Sequence, residues 1–151
     1  MHKRLGVNHI MVLMDSTASA ARAVDYAAIL AKALKVKLTA LHVTEIETLH
    51  QLLSAQVLTA DEMVEFEHGL ADSAARHLNT ARELARAHGV AIETVSVSGN
   101  SSVVVPQEVE ARGIDLIVLG AFNSSQARFE LLFRQRQQVL DHASCPVLVA
   151  R

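Results

Sequence analysis

The stretch with the most capacity for chemistry is residues 120–140, GAFNSSQARFELLFRQRQQVL. It follows DLIVLG, the most strand-like run in the chain. A glycine that ends a buried parallel strand and opens a loop and a helix is a common place to hold a phosphate. The backbone there can approach closely, and the helix presents free N–H groups. Yet the loop has only Gly120, and it carries Arg128, Arg134 and Arg136 within nine residues. Those arginines can form an anion-binding cluster through charge-assisted hydrogen bonds, or simply a solvated helix face. Phe122, Phe129 and Phe133 can line an apolar patch, meet a partner, or pack beneath the loop.

Other reactive residue types give less. The eight histidines, His2, His9, His42, His50, His68, His77, His88 and His142, contain no H-x-x-x-H pair and no cysteine at ligand spacing, so no metal site is expected. His142, near a helix end, can complement the dipole there. The one cysteine, Cys145, has no general base beside it in sequence and reads as buried packing. There is no G-x-S-x-G elbow, no P-loop and no G-x-G-x-x-G fingerprint. No catalytic residue is assigned, and the expectation is that the chain is not an enzyme.

These residues must be positioned by a fold, and composition bounds it. The 151 residues are 50% hydrophobic and 20% charged, with a formal net charge of −2. That is globular composition, for one domain over residues 1–151, without the basic footprint of a nucleic-acid or anionic-membrane binder. Aromatics are too few for a base-stacking surface. A single cysteine excludes an internal disulfide and suits a reducing compartment. The N-terminal MHKRLGVNHIMVLMD lacks the length and cleavage site of a signal peptide, and no apolar stretch approaches the ~20 residues of a membrane span. The expected location is the cytoplasm.

Patterning predicts strands over 9–15, 36–43, 90–99, 114–120 and 145–151. Helices are predicted over 16–35, 61–88, 101–112 and about 130–142, with a loop and short helix over 44–60. Thr17 and Ser19 offer capping oxygens for the first helix, whose apolar stripe is Ala20, Val24, Ala27, Ala31 and Leu34. Asp61 is the expected cap of the long helix. Its stripe is Met63, Phe66, Leu70, Ala74, His77 or Leu78, Ala81, and Leu84 or Ala85, and Gly89 closes it. Pro106 is placed in the early turns of its helix. Alternating strands and helices, with strands apolar throughout, imply a parallel sheet covered on both faces. Ligands then sit beyond the carboxyl ends of the strands: Asp15 and Ser16, Val43 and Thr44, Gly99 and Asn100, and the loop from Gly120.

Four segments carry a resemblance. Asp15 ends the first strand and precedes small hydroxyl residues, like VDGS in the universal stress protein family. ALHV at 40–43 is close to that family's LLHV. GNSSVVVPQEVEARGIDLIVLG aligns without a gap on GdPxxxIxxxAxexxaDLIVMG, and VLDHASCPVLVAR matches VLRxAxCPVLVVR nearly throughout. The chain therefore resembles the universal stress protein family over essentially its whole length. The resemblance implies an α/β sandwich of Rossmann-like type, with a five-stranded parallel sheet in the order 3-2-1-4-5.

It also divides members by the loop. ATP-binding members resemble G-x-x-G, nine residues, then G-[ST]. Here those positions fall on Gly120, Asn123, Phe133 and Arg134. Asn123 can still adopt a left-handed conformation, whereas Phe133 puts a ring where close approach needs a hydrogen. Arg134 loses the hydroxyl but gains a phosphate partner. The resemblance thus implies the branch that does not bind ATP tightly, with no required cofactor and a stress-response regulatory or interaction role with an unknown protein partner. The alternative is an adenine-nucleotide sensor for AMP or ATP, using Asp15, backbone groups of Val43, Gly120, Asn123 and Arg134. Asp15 would then bond ribose or adenine; otherwise it caps the following helix. The resemblance further implies a homodimer through the last strand, Pro146 to Arg151, which pairs across a sheet edge that would otherwise need cover.

Overall fold

Stretches of branched aliphatic residues become strands here because helices cover the sheet on both sides. The computed structural model describes residues 6–45, 51, 54–56, 58–121 and 130–151. Most of the expected short helix in 44–60 therefore lies outside the described residues. Strand β1 (His9–Leu13) leads into α1 (Ala18–Leu34), β2 (Lys37–Thr44) and the long α2 (Ala60–Ala87). Then come β3 (Glu93–Ser98), α3 (Ser101–Arg112), β4 (Leu116–Gly120), α4 (Glu130–His142) and β5 (Val147–Ala150). All strand pairs are parallel, and the sheet order is 3-2-1-4-5.

Period-two alternation divides the core between the faces. Ile10, Val12, Leu38, Ala40 and Val118 face α1 and α2, while Met11, Leu41, Ile117 and Leu119 face Val105, Val109 and Val139 of α3 and α4. Helix α1 meets the sheet almost wholly through alanines, namely Ala20, Ala23, Ala27, Ala28 and Ala31 around Val24. Small side chains let it sit close, and Gly120 completes the fit. A Cβ on Gly120 would stand 2.7 Å from the Ser19 carbonyl carbon and 3.0 Å from the Ala20 nitrogen. The glycine is thus required by the start of α1, whatever else it serves.

Local expectations fared unevenly. Thr17 caps α1, its hydroxyl accepting from Ala20 N at 3.1 Å. Leu34, placed in the buried stripe, is half exposed, because it lies at the last turn, beyond the sheet. Thr59, not Asp61, caps α2. Its hydroxyl accepts from Glu62 N at 3.2 Å and donates to the Glu62 carboxylate, a variant of the reciprocal cap of T-x-x-E sequences, and Asp61 falls in the first turn. Phe66 is exposed, since α2 is buried continuously only from Ala74 through Leu78 and Ala81 to Ala85. Gly89 follows the cap with φ of +72°. Pro106 is the sixth residue of α3, beyond the first turn, where its missing N–H forgoes a helical bond. Strand β1 stops at Leu13, leaving Met14 and Asp15 in the connection to α1.

Candidate functional site

In a sheet of this order the chain leaves β1 toward β2 on one side and leaves β4 toward β5 on the other. The crevice between their carboxyl ends is the topological switch point. Asp15 follows β1 at this crevice, and Ala121 follows β4. Thr17 and Ser19 begin α1 beside them, and Gly99 and Asn100 connect β3 to α3. Gly99 has φ of +144°, a backbone that disfavours side chains, and a Cβ there would meet Val104 at 2.7 Å.

The crevice is occupied from within. Arg136 of α4 is only 2% exposed. Its Nη2 donates to Asp15 Oδ2 at 3.0 Å, to Asp15 Oδ1 at 3.3 Å and to Thr17 Oγ1 at 2.6 Å. Its Nη1 donates to Ser19 Oγ at 2.9 Å and to the Ala121 carbonyl at 2.7 Å. The Phe133 ring, one helical turn earlier, stacks against the guanidinium at 5.1 Å. The sequence left the three arginines as an anion-binding cluster or a solvated face. Arg136 is neither: it is a buried cation, paired with Asp15. Arg134 is exposed, and Arg128 lies outside the described residues.

Both oxygens of Asp15 are engaged in this arrangement. Besides Arg136 it accepts from Thr17 N at 2.9 Å and from Thr17 Oγ1 at 2.6 Å. The capping role weighed for it is carried by the Thr17 side chain, which Asp15 orients. The Thr17 and Ser19 hydroxyls each accept from the Arg136 guanidinium, and the Thr17 hydroxyl hydrogen is directed at Asp15.

On the α3 side, a second internal charge takes up donors. Glu45 Oε1 accepts from Ser101 N at 3.2 Å, from Ser101 Oγ at 2.9 Å and from Gln135 Nε2 at 3.1 Å. Asn100 caps α3, accepting from Ser102 N at 2.9 Å. Between these contacts remains a cavity of about 30 Å³, room for little more than a water. Asp15, His42, Val43, Ser101, Gln135 and Arg136 line it, with apolar neighbours.

His42 is the unsatisfied member. Its Nδ1 is the one buried side-chain nitrogen or oxygen among the described residues without a hydrogen bond. Its ring stacks on His77 of α2, centroids 5.8 Å apart. Burial lowers the His42 pKa, the neighbouring His77 lowers it further, and Asp15 acts in the opposite sense.

Of the residues singled out by sequence, the structure brings Asp15 and Val43 to the cavity and sets Gly120 against α1. Phe122, Asn123 and Phe129 lie outside the described residues. Arg136 and His42 were not assigned to the site from sequence. Arg136 could have been, because Leu132, Arg136 and Val139 share one helical stripe, and two of these are apolar. The remaining candidates are structural. His9 bonds Thr39 Oγ1 at 2.7 Å, and His142 bonds the Gln138 carbonyl at 2.9 Å. His88 pairs with Asp25 at 3.0 Å. Burial and Asp115 raise the Cys145 pKa, which keeps its thiol protonated and unreactive. Among the described residues, no three His, Cys, Asp or Glu side chains gather as a metal cluster, and no helix is long and apolar enough to cross a membrane.

Comparison with known proteins follows the same lines. The profile of the universal stress protein family matches residues 6–151. The universal stress protein YxiE of Bacillus subtilis (strain 168) is 27% identical over 95% of this chain and 99% of its own length. A universal stress protein solved in complex with cAMP aligns with a TM-score of 0.66 at 22% identity, covering 96% of this chain and 97% of that one. A family member from Arabidopsis thaliana with AMP bound aligns at 0.66 and 17% identity, covering 95% and 90%.

Proposed function

The chain belongs to the universal stress protein family, and from that premise we propose that it is a non-catalytic regulatory or interaction protein that holds no adenine nucleotide tightly. One observation carries this reading: the Arg136 guanidinium fills the crevice between β1 and β4 and leaves Asp15 no unpaired oxygen. A nucleotide presenting ribose hydroxyls to Asp15 must first displace a buried charge-assisted pair, and the cavity of about 30 Å³ among the described residues there is too small for a nucleoside. A homodimer through β5 is part of the reading. Val149 is 40% exposed on this short edge strand, which has hydrogen-bonding groups to share with a second copy.

The second reading is an adenine-nucleotide sensor. The unpaired His42 nitrogen favours it, as do the AMP and cAMP carried by the similar structures. Denaturing the purified protein and chromatographing the supernatant separates the two. The expected result is no stoichiometric nucleotide; one equivalent of AMP or ATP would move the conclusion to the sensor. Sedimentation of the wild type and of Val149→Glu tests the dimer, with a shift to monomer expected only in the variant.

A further inference from the structure

We propose that Arg136 is an internal competitor for the switch-point crevice, and that it, rather than the missing loop glycines, sets how well the chain takes up an adenine nucleoside or nucleotide. This rests on the reading above, in which the crevice is the place a nucleotide would enter. The guanidinium bridges the residue after β1, the first turn of α1 and the carbonyl after β4. Those are the groups any ligand at a switch point must address. Phe133, which stands at a position where ATP-binding relatives resemble glycine, backs the guanidinium from the other side. The loop's departure and the arginine's placement are therefore one device.

The hollow that Arg136 leaves is not an ordinary packing gap. Asp15, Ser101, Gln135 and Arg136 contribute polar groups to a mostly apolar lining, and His42, which also borders it, has a buried ring nitrogen with nothing bonded to it. A core packed only for stability seldom leaves such an atom unpaired. Opening the hollow does not require α4 to unfold. Val139 fixes the helix in the core and Gln135 ties it to Glu45, so only the long Arg136 side chain has to swing out.

If the open rotamer is a tenth of the population or less, Arg136 weakens apparent affinity by about tenfold or more. Arg136→Gln removes the competitor, and Arg86→Gln is the control that makes the same change of charge on the exposed side of α2, away from the crevice. Each is titrated calorimetrically with adenosine, which carries no charge, and with AMP. The expected outcome is about tenfold tighter binding of both ligands by Arg136→Gln, and a change within about twofold for Arg86→Gln. A folded Arg136→Gln protein with unchanged or weaker binding overturns the proposal, and so does an equal gain in the control. Circular dichroism and thermal melting establish folding. Should Arg136→Gln not fold, Arg136→Lys keeps the charge without the fork, and is expected to bind adenosine about threefold tighter; no gain there overturns the proposal as well. Nucleotide already carried by the wild type would instead count against the proposed function, so the two failures are distinguishable.

Discussion

The two walls of the small cavity at the strand ends are built on opposite terms. On the wall between β1 and β4, Asp15, Thr17, Ser19, Arg136 and the Ala121 carbonyl are joined by short hydrogen bonds. On the wall formed by β2, His42 stacks on His77 of α2 behind it, and its Nδ1 is unpaired. The first wall is a closed electrostatic unit whose members cannot be removed singly without stranding another. The second has a polar atom the fold already tolerates unsatisfied, so replacing it by carbon forfeits little. Two polar residues lining one cavity can thus differ sharply in what they contribute to stability.

The strongest way to break this comparison is Asp15→Ala. It strands the Arg136 charge in a site with almost no solvent, and a loss of about 3 kcal/mol in urea unfolding is expected. A loss no larger than that of a surface change would mean the first wall is not a unit. Next is Gly120→Ala, which drives a methyl into the Ser19 backbone and pushes α1 away from the bonded wall. The expected cost is about 2 kcal/mol, read from the same unfolding curves.

The smallest effect belongs to the second wall. His42→Leu is expected to change stability by less than about 1 kcal/mol at pH 8. Its signature is in the pH dependence. The folded His42 pKa lies below its ordinary value near 6.5, so the unfolded chain takes up a proton before the folded chain does. Stability is then full above about 6.5 and declines as pH falls from there through the folded pKa. Melting temperatures from pH 8 to 5 are expected to fall less steeply in His42→Leu than in the wild type. An unchanged slope would place the wild type's acid sensitivity elsewhere.

Much of the frame was legible in the chain itself. Apolar runs such as HIMVL and LIVLG read as strands covered on both faces, and the match of VLDHASCPVLVAR to its family pattern tied the last helix and strand to a known order. The Thr59 cap was equally legible, since T-x-x-E stands in the sequence, but Asp61 has the same capping chemistry and lies nearer the periodic run. The site was harder to read, for a physical reason. Arg136 meets Asp15 across 121 residues. No local pattern distinguishes it from Arg134 two positions earlier, except that Arg136 falls on the apolar stripe of α4 and Arg134 does not. A charged residue on a buried stripe has a partner somewhere, and only the folded arrangement says where. The orphaned nitrogen of His42 has no sequence signature, because it is defined by an absent partner.

The reach of Arg136 also has a kinetic consequence. Its bonds join groups after β1, at the start of α1 and after β4 to the last helix, so they can form only once nearly the whole chain is assembled. Contacts of such sequence separation are late in folding and early to be lost. Weakening this pair is therefore expected to hasten unfolding while leaving the refolding rate almost unchanged. The guanidinium then acts as a clasp on the finished molecule, governing how long the native state lasts more than how quickly it is reached.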